Sequence, residues 1–132
     1  MPRREIVSEA LAPPNGHYCH ATVAEGGGRL VFISGMTARR RDGSIAGLGD
    51  VRAQTRQVCE NLKTAVEAAG GSLGDVYRVD VYVRSLADLA AVQEVRREYF
   101  SESLPASTLV EVSGLVAPEY LIEMNAIAVV EA

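Results

Sequence analysis

A chain of 132 residues that is 48% hydrophobic is long enough to bury the core of one domain. Its net charge of −4 excludes the strongly basic balance of a general nucleic-acid binder. No apolar run reaches the roughly 20 residues of a membrane helix. The opening residues, MPRREIVSEALAPP, lack the apolar centre of a signal peptide, so a cytoplasmic protein is expected. No repeat, low-complexity tract or linker divides residues 1–132, which read as a single domain.

In chain order, Glu5 to Val7 suits a short first strand, and Pro13 to Gly16 a turn. His17 to Ala24 alternates, with Tyr18, His20 and Thr22 on one face. The Gly26–Gly28 turn and the apolar run Arg29 to Gly35 follow, which together predict a hairpin. No helix or lysine follows these glycines, so they are a turn rather than a phosphate loop. A loop from Met36 to Gly49 holds Arg39, Arg40 and Arg41 and the turn pair Asp42-Gly43. Asp50 is placed to cap a helix running to about Ala69, whose inward stripe is Val51, Thr55, Val58, Leu62, Ala65 or Val66, and Ala69. Gly70-Gly71 ends it.

Tyr77 to Arg84 alternates strictly, and Ser85 caps a second helix over roughly Leu86 to Phe100, with Leu89, Val92, Val95 or Arg96, and Tyr99 at helical spacing. Pro105 to Val130 reads as two strands joined by a turn around Gly114 and Pro118. The economical packing is one sheet with both helices on one face.

The last strand carries the chemistry. Ile122, Met124, Ala126, Ala128 and Val130 share one face; Leu121, Glu123, Asn125, Ile127 and Val129 share the other. A carboxylate in so apolar a strand is costly unless it is paired or bonded, which singles out Glu123. Ser107 has no base and orienting group around it that would make it a nucleophile. The three loop arginines have two readings, a solvated loop and a carboxylate clamp. His17, Cys19 and His20 do not make a metal site, because on a strand Cys19 points away from His20 and no third ligand is evident. Cys19 and Cys59 read as reduced, partly buried thiols.

Several stretches together resemble the RidA/YjgF family of imine and enamine deaminases. They include Gly16-His17-Tyr18, Ile33-Ser34-Gly35, the helix segment Ala53 to Lys63, Ala68 to Gly71, Val79 to Arg84, Tyr99-Phe100, Pro105-Ala106, Val110-Glu111-Val112 and Ile122 to Val129. The resemblance implies an α+β, chorismate-mutase-like fold: a mixed sheet with two helices on one face, assembled as a homotrimeric barrel with three clefts between subunits. It also implies a reaction without metal or organic cofactor, in which water attacks an imine carbon and ammonia leaves. On the matching positions Glu123 activates the water, Tyr18 and Ser34 line the cleft, Gln93 lies near the ligand, and Ser107, Thr108 and Leu109 offer backbone groups to the substrate.

One position departs from the pattern. The family's archetypes read Pro-Ala-Arg, the arginine gripping a substrate carboxylate, where this chain has Pro105-Ala106-Ser107. His20, Arg39, Arg40 and the helix start Asp50 to Arg56 are similar instead to the branch that deaminates 2-aminomuconate, with Arg39 or Arg40 and His20 as carboxylate contacts. The expected function is hydrolytic deamination of a carboxylate-bearing enamine or imine that is not a simple 2-iminoacid. The alternative is a cleft that binds a small metabolite without turnover. Neither nucleic acid nor a membrane is an expected partner.

Overall fold

The computed structural model describes residues 3–131. Six strands and two helices alternate as β1 (Arg3–Ile6), β2 (Ala21–Ala24), β3 (Arg29–Met36), α1 (Val51–Ala68), β4 (Val76–Val83), α2 (Leu89–Tyr99), β5 (Ala106–Glu111) and β6 (Ile122–Val130). Four strands form a mixed sheet in the order β3-β6-β4-β5, in which only the β4–β5 pairing is parallel. The crossovers β3-α1-β4 and β4-α2-β5 step in the same direction along this sheet. Right-handed connections therefore lay both helices on one face.

The alternation of β6 is converted directly into burial. Ile122, Met124, Ala126, Ala128 and Val130 are all buried, as are Val79, Val81 and Val83 of β4. All of these but Val130 pack in one core with Val58, Leu62 and Val66 of α1 and Val92 of α2. Each valine, leucine, isoleucine or methionine among them contributes about 1.5–3 kcal/mol on leaving water. Asp50 caps α1 by accepting from the Ala53 amide at 3.1 Å. Gly70, at a φ of +89°, reverses the chain so that the Gly70 and Gly71 amides close the helix end on the Glu67 and Val66 carbonyls. The ion pairs Arg52–Glu94 and Arg56–Glu98 join the helices on their exposed side, where they add little stability.

Four elements differ from the sequence reading. The stretch before the three glycines does not form a hairpin with β3. Its strand is only Ala21–Ala24 and pairs antiparallel with β1, in a separate two-stranded sheet. Gly26, Gly27 and Gly28 all have positive φ and redirect the chain, so β3 pairs with the more apolar β6. Residues 15–20 are irregular, with Cys19 bridging to Ala106 of β5. Nor are the last two strands neighbours: β4 lies between β5 and β6. The second helix begins as a 3-10 turn, Leu86–Asp88, before α2 proper, with Ser85 accepting from the Ala87 amide. Finally, the first strand spans Arg3–Ile6 rather than Glu5 to Val7.

Candidate functional site

The strand order sorts the sequence-predicted residues into two groups at opposite edges of the sheet. The first lies where β3 meets β6. Ile33 pairs with Ala126 but Met36 with Met124, so Ser34-Gly35 contains one extra residue and forms a bulge opposite Asn125. The bulge brings Gly35 against Glu123: a Cβ on Gly35 would lie 3.0 Å from Glu123 Cδ and 3.4 Å from its Cγ. Glu123 points to the sheet face away from the helices and is half-buried. Asn125, on the same face, donates its amide to the Tyr82 hydroxyl at 3.5 Å.

Arg39 and Arg40 border the same edge. They line a cleft with Gly35, Met36, Thr37 and Asn61. Asn61 of α1 fixes this loop by donating to the carbonyls of Thr37 and Arg39, each at 2.9 Å. Arg40 donates to Ser44 Oγ and the Ile45 carbonyl at the tip of the loop. Hydrogen bonds from the Ser44 hydroxyl and amide close the tip on Asp42 and hold its carboxyl below its ordinary range.

The second group lies beyond β5, beside α2. A cleft of about 410 Å³ is lined by Asn15, Gly16, Tyr18, Leu86, Leu89, Gln93, Arg96 and Ser107 to Leu109. The Tyr18 hydroxyl donates to Asn15 Oδ1 at 3.0 Å, leaving the ring as a wall. The Val79–Ser107 and Val81–Leu109 registers put Ser107 and Leu109 on the helix-covered side. Thr108, on the other side, accepts from Arg78 at 2.8 Å.

His20 belongs to neither group. Its Nδ1 accepts from the Ser8 amide and its Nε2 donates to the Ala12 carbonyl, each at 2.9 Å, so both ring nitrogens fasten the N-terminal loop. His17 Nε2 donates to the Phe100 carbonyl at 2.8 Å. Cys19 gives its thiol to the carbonyls of Ala21 and Leu104, and burial pushes the Cys59 thiol up to about 12.

The residue that sequence reasoning passed over is Arg96. It sits on the inward stripe of α2 and is 1% exposed. Its guanidinium donates to Gln93 Oε1 at 3.1 Å, to the His17 carbonyl at 3.3 Å and to Ser107 Oγ at 3.0 Å. The available signal was an arginine at a position that the helical period assigns to the core.

The family model described as "Endoribonuclease L-PSP" matches residues 9–130. The chain belongs to the RidA/YjgF family. It is 39% identical over 97% of its length to the 3-aminoacrylate deaminase RutC of Acinetobacter baylyi, covering 98% of that protein. A RutC family protein of Pyrococcus horikoshii is 45% identical, over 95% of this chain and 97% of its own. Among solved structures, a conserved Rid family protein of Yersinia pestis superposes with a TM-score of 0.90 at 35% identity, covering 98% of this chain and all of that one. The RidA-like α+β domain, two helices on a mixed sheet, is thus common to this chain and its relatives.

Proposed function

We propose that the chain is a hydrolytic deaminase of reactive enamines or imines, acting at clefts formed between copies of itself in a homotrimer. The observation that carries this reading is the fit of the Glu123 carboxyl group against Gly35, where even a Cβ would displace the carboxylate. A carboxylate held in place on a rigid strand can take a proton from water as the water oxygen attacks the imine carbon. That proton passes to the nitrogen to give a carbinolamine. The carbinolamine hydroxyl proton then passes to the nitrogen through the same carboxylate as the C–N bond breaks, and ammonia and a carbonyl product leave. The 3-aminoacrylate deaminase among the relatives supports this reaction class.

The topology supports an inter-copy cleft. Ser34, Arg39, Arg40 and Glu123 stand towards one end of the strand order, and Tyr18, Gln93 and Ser107 to Leu109 at the other. A second copy would bring the two groups together. The open sheet face supplies a surface for such association: Leu30 is 64% exposed and Phe32 72%, with Val110 also outward. Within the loop group, Arg39 and Arg40 are the candidates to meet a substrate from the β3 side, while His20 serves the fold.

A net charge of −4 gives no support to an RNA substrate. A binding role without turnover is favoured by one observation, that Ser107 carries no charge of its own to anchor a substrate. Ammonia release decides between them. At least one of two substrate sets, imines generated in situ from neutral amino acids and 2-aminomuconate-type enamines, should yield ammonia with the wild type, and with Glu123→Gln at a rate lower by about 10²–10⁴. Full activity in Glu123→Gln contradicts the proposal; calorimetric binding with no ammonia released supports the binding role.

A further inference from the structure

Arg96 is a cation in the wrong place for a purely structural residue. It is 1% exposed, and among the described residues no carboxylate pairs with it. Its hydrogen bonds go to neutral acceptors, and its Nε is buried without a partner. A buried charge without a counter-charge is among the more costly arrangements a fold can hold, and removing the anion from a buried pair typically destabilises strongly. Burial lowers its pKa to about 10, which leaves it charged at neutral pH. A guanidinium so placed is complementary to a planar anion.

The anion has a way in. Arg96 lines the cleft that also holds Tyr18, Gln93 and Ser107. Ser107 accepts from Arg96 at 3.0 Å and keeps its own hydroxyl proton to donate onwards. The remaining N–H capacity of Arg96 and the Ser107 hydroxyl together form a donor pair beside the Tyr18 ring. Gln93, bonded to Arg96 through Oε1, keeps its side-chain amide protons towards Gly16.

We propose that Arg96, with Ser107, is the carboxylate-binding site of the cleft, the positive charge coming from α2 and the hydroxyl from β5. The ligand class is a small imine or enamine bearing a carboxylate next to the reacting carbon, and its 2-oxo acid product. This assignment of substrate rests on the deaminase reading above, but the binding of the acid does not. A structural alternative exists, in which Arg96 only ties the His17 loop to α2, and it makes a different forecast.

The test is calorimetric titration with 2-oxobutyrate and its uncharged amide, 2-oxobutanamide, on the wild type, Arg96→Met, and Arg96→Met with Ser107→Arg. The wild type should bind the acid at least tenfold more tightly than the amide. Arg96→Met should lose that preference while binding the amide as before, and the added arginine at 107 should restore it. Should Arg96→Met not fold, Ser107→Asp places a carboxylate on the guanidinium and must abolish acid binding in a folded protein. Acid binding that survives either substitution, or a wild type that binds no 2-oxobutyrate, overturns the proposal. The ammonia assay separates the two readings. Arg96-dependent acid binding without turnover of any imine removes the deaminase and leaves this site. Turnover indifferent to Arg96 does the reverse.

Discussion

Gly35 and Glu123 are packed so closely that a methyl group on Gly35 would lie 3.0 Å from the Glu123 carboxyl carbon. Gly35 is not among the glycines with positive φ, so the constraint is space and not backbone conformation. Gly35→Ala should therefore fold, with a melting temperature within a few degrees of wild type, yet displace the carboxylate. A displacement of this kind costs about 10²-fold in rate. Ammonia release beside a thermal melt checks this; an alanine variant with wild-type turnover would show that the carboxylate's position is not critical.

Gln54 is a buried amide whose three hydrogen bonds join distant segments. Its Nε2 donates to the carbonyls of Gly47 and Glu119, and its Oε1 accepts from the Leu121 amide at 2.9 Å. This ties the start of α1 to the entry of β6, the strand that carries Glu123. Gln54→Ala leaves those groups unsatisfied and should cost about 2–3 kcal/mol in urea unfolding. A loss under about 0.5 kcal/mol, the range of ordinary surface substitutions, would mean water replaces the amide without penalty.

Cys59 is fully buried, and desolvation pushes its thiol from an ordinary value of 9.0 up to about 12. The folded state thus resists forming the thiolate. Stability is unaffected below the ordinary value and falls as pH rises from about 9 towards 12. The urea midpoint of the wild type should decline between pH 8 and pH 11 more steeply than that of Cys59→Ala. Equal slopes would assign the alkaline loss to other groups. Iodoacetamide should label Cys59 only after denaturation.

His17 makes the opposite prediction at acid pH. Burial is the main cause holding its imidazole below the ordinary value of 6.5; the Phe100 hydrogen bond opposes this, and Arg96 and Arg97 add to it. The folded state prefers the neutral ring, so the stability it contributes is present above pH 6.5 and is lost as pH falls below it. Moving from pH 7.5 to pH 5.0 should lower the urea midpoint of the wild type more than that of His17→Gln. A larger drop in the variant would contradict the assignment.

The elements that the sequence made legible are those whose periodicity survives into burial. The stripe of α1 around Val58 and Leu62, the alternation of β4, and the buried face of β6 all follow from spacing alone. Pairing was not legible, because alternation names a strand's faces and says nothing of its neighbours. β2 therefore joined β1, and β5 and β6 lie on either side of β4. The same limit applies to the site. Apolarity marked the strand of Glu123, but its face is the half-open one, and only the bulge at Ser34-Gly35 explains how the carboxyl group is held. Arg96 was hidden by its own position, since a charged residue in an inward stripe reads first as an imperfection of the helix. His20 shared a predicted face with Tyr18, yet the chain there is irregular and spends both ring nitrogens on the backbone.

The central claim is that Glu123 of one copy works on a substrate held in the Tyr18 cleft of another. Two inactive variants test it together. Glu123→Gln removes the carboxylate, and Gly16→Trp fills the cleft from a position whose Cβ would face Gln93 and Tyr18. Unfolded together and refolded as a mixture, they should form oligomers in which roughly a quarter of the clefts combine an intact Glu123 with an intact pocket. Ammonia release should return to about that fraction of wild type, while each variant refolded alone stays silent. A mixture as inactive as its components, from oligomers shown to have exchanged subunits, would contradict a site shared between copies.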